Sequence, residues 1–325
     1  MPKVSVIVPI YGVEKYIERC ARSLFEQSLE DIEYIFVNDC TQDNSMKILN
    51  TVISKYPERK TQIKIVNHEV NQGLPSARKT GIKEATGDYI AHCDSDDWVE
   101  KQMYSKLYEK AIGEKVDVVF CDLYVSTDTE DVYKKCTSME LRNANDLLIN
   151  VLINKALGCV WNKLVKKELY QNEISYPHNN YGEDIALMSQ ILFYATSAFY
   201  LKEPLYHYYY NPSSISRKKD KKHILKSFND TCTNAHLIDT FFKREDNSLI
   251  NNAIVCLKCR ERDRLIPLIR SRKYYKLWLS QFPEINNKVL FNSYILFKHK
   301  IRFILCLIHL FPLKGFVDSE EIIGG

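Results

Sequence analysis

Over the first 125 residues, short apolar runs alternate with stretches in which apolar residues recur at helical spacing. Val4–Val8 (VSVIV), Tyr34–Val37 (YIFV), Ile63–Val66, Tyr89–His92 and Val116–Phe120 (VDVVF) have the length and β-branched content of strands. The first is a continuous run of strand length, apolar but for Ser5, which predicts a strand covered on both faces. Between these runs, Tyr16, Ile17, Cys20, Leu24 and Phe25 share one helical face, as do Ile48, Leu49, Val52, Ile53 and Tyr56 ahead of Pro57. Ser76–Ala85 and Val99–Ile112 are the next predicted helices. The alternation predicts βαβ units, an α/β fold and a mainly parallel central sheet flanked by helices. From Arg142 to Ala195 the pattern is helical, broken by a loop at Tyr176–Gly182. Residues 198–210 (AFYLKEPLYHYYY) are aromatic-rich and read as strand. Beyond Arg217 the chain is helical, ending in an amphipathic region from Val289 to Leu313.

Composition changes this picture in one respect. The 325 residues carry 45 basic and 41 acidic side chains, a formal net charge of +4, with 45% hydrophobic and 26% charged residues. These values exclude a disordered or collagen-like chain. The charge is unevenly placed: residues 1–216 hold 24 basic and 30 acidic side chains, and residues 217–325 hold 21 and 11. Two regions are therefore expected, an acidic α/β part over 1–216 and a basic, mainly helical part over 217–325. Most of the ten cysteines lie in apolar runs, and the chain opens MPKVSVIVPIYG without a charged leader. Free thiols in a reducing compartment are expected. Cys256 and Cys259 make a CxxC on a predicted helix, with no second pair to complete a zinc site. No apolar run reaches the roughly 18 residues of a membrane span. Phe303–Phe311 is shorter and follows Lys298, Lys300 and Arg302, which suits docking on an anionic membrane or packing on the main domain.

In open sheets of this kind, ligands bind beyond the carboxyl ends of the strands, and the candidate chemistry falls there. Asp94-Ser95-Asp96-Asp97 follows the fourth strand. Three carboxylates so close repel one another unless a cation sits among them, and hard Mg2+ or Mn2+ prefers carboxylate and phosphate oxygens. Helix capping explains one of the three. Asp39 ends the second strand, where a carboxylate can accept from a nucleotide base or ribose, while Asp43 is the expected cap of the following turn. Asn71–Arg78 (NQGLPSAR) supplies a loop glycine, a helix start and a guanidinium, as a plain surface helix or a phosphate site would. Glu183-Asp184 opens an apolar helix, either favouring its dipole or acting as a general base. His207 reads as a core histidine or a ligand, and Ser214 and Ser216 as turn residues or phosphate contacts. The run Arg217–Lys222 is a solvated face or an attractor for anionic lipid or nucleic acid. The fingerprints of dinucleotide-binding proteins, P-loop NTPases, zinc proteases and α/β-hydrolases are missing.

Together, VSVIVPIYGVEKYIERCARSLFEQS, YIFVNDCTQDNS, NQGLPSARKTGI, DYIAHCDSDDW and YGED resemble glycosyltransferase family 2, the nucleotide-sugar-dependent transferases of GT-A fold. The motifs cover residues 3–98 densely and thinner patches to about residue 216. The resemblance implies a GT-A fold with a Rossmann-like sheet. It implies inverting transfer from a nucleoside-diphosphate sugar, expected to be UDP-linked, to a hydroxyl of a glycan or lipid-linked glycan in cell-surface polysaccharide synthesis. By the same resemblance Pro9 and Tyr11 line the nucleotide pocket, Asp39 receives the base and Arg78 lies near the nucleotide. Asp94 contacts the ribose side, Asp96 holds Mn2+ or Mg2+, and Asp184 is the general base, with Glu183 as its alternate. His207 and the Ser214–Ser216 stretch close over the diphosphate. Gly12 and Lys79 stand where the family often has Asn, which bears on donor selectivity. The Gln-x-x-Arg-Trp motif of processive synthases is absent, so one sugar is added per encounter. A cytoplasmic protein, peripheral on the membrane's cytoplasmic face and without a nucleic-acid partner, is expected. A nucleotidyltransferase, or a non-catalytic nucleotide-sugar or glycan-binding protein, is the competing reading.

Overall fold

A computed structural model describes residues 1–210, 220–243, 245–308 and 310. Strand β1 (Val4–Ile10) is buried at all seven positions, and its one polar side chain, Ser5, donates its hydroxyl to Glu33. It pairs in parallel with β2 (Ile32–Asn38) on one side and β4 (Tyr89–His92) on the other, and β3 (Ile63–Asn67) continues beside β2. Helices α1 (Ile17–Phe25) and α2 (Ser45–Ile53) bury their predicted faces, with Asp43 accepting from the Ser45 N–H at the start of α2. Helix α3 (Leu74–Glu84) lies tight on the sheet: a Cβ on Gly81 would stand 2.3 Å from Ile7 Cγ2. That close approach fixes the helix that carries Arg78.

Beyond β4 the sheet is mixed and continues through β8 (Lys163–Lys166), β6 (Val118–Ser126), β9 (Ala198–Tyr209) and β5 (Trp98–Val99), in that order. Strand β8 runs antiparallel to both β4 and β6. Strand β6 pairs in parallel with β9 and in a hairpin with β7 (Asp131–Lys134), and β5 closes on β9. The parallel arrangement expected from the alternation thus holds for β1 to β4 and again between β6 and β9, while β5, β7 and β8 run antiparallel to their neighbours. Strands β5, β7 and β8 are too short to show a period, and β8 interrupts the stretch expected to be helical. The helices there are α5 (Ala144–Leu152) and α6 (Glu183–Tyr194), after α4 (Met103–Gly113) earlier in the chain.

Helices α7 (Lys221–Phe242), α8 (Ser248–Arg262), α9 (Arg272–Ser280) and α10 (Phe297–Leu307) follow. One core runs from Ile7 and Val37 under α3, through Leu148 and Ile191, to Phe228, Ile254, Trp278 and Phe303. The basic helices and one face of the sheet therefore share buried apolar surface, while α1, α2 and α4 cover the other face. All ten cysteines are free, and Cys256 and Cys259 lie on α8. Among the described residues no helix is long and apolar enough to cross a membrane. Ser214, Ser216 and Arg217–Lys219, with the expected boundary at 216, lie outside the described residues.

Candidate active site

The polar residues at the carboxyl ends of β2, β3 and β4 form linked hydrogen-bonded groups. After β4 the chain turns at once, with the Asp97 N–H donating to the Asp94 carbonyl at 3.0 Å. The three carboxylates of this turn have separate surroundings. Asp97 is buried; its Oδ2 accepts from the Tyr206 hydroxyl at 2.7 Å and its Oδ1 from the Tyr209 N–H at 2.7 Å. The Tyr206 oxygen also accepts from the Asp94 N–H at 3.1 Å, so one phenol bolts both ends of the turn. Burial first, then the charges of Asp96 and Asp94, pushes the Asp97 carboxyl well above its ordinary range. Asp97 is thus an anchor of the turn. Removing its phenol in Tyr206→Phe is expected to cost about 1–3 kcal/mol by leaving a buried carboxylate oxygen without its donor. A lower urea midpoint at unchanged slope would show this. Asp94 and Asp96 are only half-buried.

Arg78, one turn into α3 and 1% exposed, points at this turn from behind. Its Nη2 donates to Asp94 Oδ1 at 2.8 Å and its Nε to Glu183 Oε1 at 2.8 Å. Asp184 Oδ1 lies 3.6 Å from Nη2, beyond hydrogen-bond reach. Gly182, in the left-handed conformation at φ 76°, starts α6 and turns both carboxylates toward Arg78. Burial opposes the Arg78 charge, yet Asp94, Glu183 and Asp184 hold its pKa well above the ordinary value. Burial, then the charge of Asp184, drives the Glu183 carboxyl well up, and burial likewise raises Asp94. One guanidinium among three carboxylates leaves an excess of negative charge. Glu183 Oε2, Asp184 Oδ1 and Arg78 Nη1 are buried atoms without a hydrogen-bond partner among the described residues. Such a cluster favours a further cation. No three His, Cys, Asp or Glu side chains converge as a complete metal site among the described residues. Asp94 and Asp96 nonetheless fit a hard divalent ion, which is commonly held by one or two carboxylates plus substrate phosphates.

Asp39, at the end of β2, works on the neighbouring loop. Its Oδ1 accepts from the Gln72 N–H and faces His68 Nδ1, both at 2.8 Å, and its Oδ2 accepts from the Gly73 N–H at 2.8 Å. Gly73 stands at φ 86°, which a side chain would strain, and leads straight into α3. Asp39 is itself buried, 3% exposed, and each of its oxygens has the capacity to accept twice. Pro9 is buried within β1, and Tyr11 stands just beyond its end, 55% exposed.

His207, on β9, is buried against β5 and β6. Its ring is stacked between Trp98 and Tyr124 at 4.7 and 4.9 Å, Nδ1 faces Ser126 Oγ at 3.0 Å, and Nε2 faces Glu100 Oε1 at 2.9 Å. Both nitrogens are engaged. Sequence reasoning also missed Lys163. Its buried ammonium donates to the carbonyls of Leu157 and Cys159 and to Asn162 Oδ1, at 2.7 to 2.9 Å. Between the two carbonyls, a Cβ on Gly158 would stand 2.8 Å from Ile185, the residue after Asp184. Lys163 therefore clamps the loop that backs the first turn of α6. Its only sequence signal is a lysine beginning a four-residue strand.

The sequence profile described as glycosyl transferase family 2 matches residues 5–195, from β1 through α6, and so includes Asp39, Arg78, Asp94, Asp96, Glu183 and Asp184. The chain belongs to this family. EpsH of Bacillus subtilis (strain 168), a putative glycosyltransferase, is 31% identical over 79% of this chain and 76% of its own length. EpsJ of the same strain, an uncharacterized glycosyltransferase, is 34% identical over 66% of this chain and 63% of its own length, so less than two thirds of EpsJ is matched. The crystal structure of S. aureus TarS residues 1–349 in complex with UDP has a TM-score of 0.69 at 19% identity, covering 94% of this chain and 87% of TarS. At that identity the likeness is one of fold. It agrees with the GT-A architecture of a family 2 glycosyltransferase, with its mixed sheet, flanking helices and helical C-terminal region.

Proposed function

We propose that this family 2 glycosyltransferase is an inverting, non-processive hexosyltransferase. It moves a sugar from a nucleoside-diphosphate donor, UDP-linked by this reading, to a hydroxyl of a glycan or lipid-linked glycan in cell-surface polysaccharide synthesis. Residues 1–216 carry the catalysis, and residues 217–325 form a helical region at the cytoplasmic face of the membrane. The observation that carries the reading is the division of labour at the start of α6. Glu183 is buried and bonded to Arg78, whereas the Asp184 side chain is 26% exposed and lies beyond hydrogen-bond reach of that guanidinium.

In this mechanism Asp184 takes the acceptor's proton as the acceptor oxygen bonds to the anomeric carbon, and the electron pair of the breaking bond leaves with the nucleoside diphosphate. A single displacement inverts the anomeric centre. Glu183 and Arg78 hold Asp184 and Asp94 in place, and Asp97, bolted by Tyr206, shapes the turn between them. Asp39 offers its remaining acceptor position to the base, beside Tyr11 and Pro9. Asp94 and Asp96 would hold Mg2+ or Mn2+, which when bound would supply positive charge for the diphosphate. His207, with both nitrogens engaged, supports β5 in this reading.

A donor screen by released nucleotide tests the proposal. Nucleoside diphosphate is expected from one donor in the presence of Mn2+ or Mg2+, and none with chelator or in Asp96→Asn. No nucleoside diphosphate from any donor would sink the enzyme reading, and release of pyrophosphate would replace it with nucleotidyl transfer.

A further inference from the structure

Helix α10 is apolar on two sides. Its inner side buries Phe303 and Cys306, with Phe303 at 6.1 Å from the Trp278 ring and the Cys306 carbonyl accepting from the Tyr275 hydroxyl. Its orientation on the protein is thereby set. A surface helix of this kind ordinarily turns charged and polar residues outward. Here Phe297, Ile301, Ile304 and Ile308 stand at spacings of four, three and four residues, one outward stripe, at 76%, 42%, 40% and 54% exposure. Phe291, 88% exposed, and Leu296, 58% exposed, precede the stripe. Exposed apolar residues scattered singly mean little, but a contiguous set marks a surface that meets something.

Charge indicates what it meets. Between Glu284 and Asp318 the sequence has no acidic residue, while Lys288, Lys298, Lys300, Arg302 and Lys314 fall within that interval. Arg302 is tied inward to Asp263; Lys298 and Lys300, next to the stripe, make no ion pair among the described residues. A two-fold contact between copies of this chain sets the same patch against itself and would oppose these lysines to their own kind. An apolar stripe rimmed by lysines complements an anionic bilayer, which takes the apolar side chains at the acyl boundary and the ammonium groups among its headgroups. We propose that the outer face of α10 docks the protein on an anionic lipid surface. This deepens the reading of a transferase that meets a lipid-linked acceptor at the cytoplasmic face, and names the residues that bring it there.

The test uses the full chain with vesicles of phosphatidylcholine alone and of phosphatidylcholine mixed with phosphatidylglycerol. Co-sedimentation is expected with the phosphatidylglycerol vesicles, weakened by salt. The double substitution Phe297→Ser and Ile301→Ser is expected to lower partitioning about tenfold or more. Lys298→Gln or Lys300→Gln is expected to lower it about fivefold each. All four side chains lie away from the site, so an unchanged melting temperature and unchanged nucleotide release from donor and a soluble acceptor certify each variant. Equal partitioning of the double variant, or no binding of the wild type to phosphatidylglycerol vesicles, overturns the proposal. So does a wild-type dimer on size exclusion that the double variant dissociates without any vesicle binding, which would assign the stripe to a second copy. Failure of the transferase reading would show separately, as absent nucleotide release from the same preparation.

Discussion

Asp184→Asn is expected to lower turnover by about 10²–10⁴-fold while leaving donor affinity nearly unchanged. The amide keeps the size and position of the carboxylate and removes the lone pair that accepts the proton. In the proposed mechanism donor binding rests on Asp39, Asp94 and Asp96, which this substitution leaves in place. Steady-state kinetics and calorimetric titration of the donor separate the two effects. Glu183→Gln makes the contrast. Its Oε1 accepts from Arg78, and a carbonyl oxygen can still do so, so the loss there is expected to be far smaller. Unchanged turnover in Asp184→Asn with a collapse in Glu183→Gln would move the base to Glu183 and reverse the assignment.

Arg78→Met is expected to destabilise the protein by about 3–5 kcal/mol, the usual cost of removing one partner from a buried ionic group. The guanidinium is the cation among Asp94, Glu183 and Asp184, and a methionine of similar length leaves those carboxylates facing one another. The deficit should depend on pH in a definite direction. Glu183 and Asp94 already sit above their ordinary pKa values through burial, so the folded protein holds their protons more tightly than the unfolded chain does. Without Arg78 this difference grows. A folded state that binds more protons loses stability as pH rises from about 4, the unfolded carboxyl range, through the raised folded values. Urea unfolding of the variant should therefore show its smallest deficit toward acid and its largest near neutrality. A deficit that is independent of pH would mean that packing, and not charge, is what Arg78 supplies.

Much of this protein was legible before any coordinates. The β-branched run VSVIV placed a central strand, and the helical spacing of Cys20, Leu24 and Phe25 placed the face that covers it. The turns after the second and fourth strands hold Asp39 and Asp94–Asp97 on one side of the molecule, because parallel strands present those ends together, and the turn after the third adds the Gln72 and Gly73 N–H groups. Local pattern carries such information since strand and helix periods are written in consecutive residues.

What sequence alone determined is thus the α/β order of the first half, the set of charged groups at the strand ends, and the family those motifs announce. Tertiary structure decided their roles. Asp94, Asp96 and Asp97 are near-identical letters in a row, yet Asp97 became an anchor because Tyr206 and Tyr209, over a hundred residues away, donate to it. Arg78 read as part of a surface helix or a phosphate site and His207 as a core histidine or a ligand; one came to lie behind the carboxylates and the other inside an aromatic stack. The short antiparallel strands and the Lys163 clamp owe their existence to partners distant in the chain. The physical reason is common to all of these: chemical capacity belongs to a side chain, whereas protonation, pairing and exposure belong to the surroundings that folding assembles.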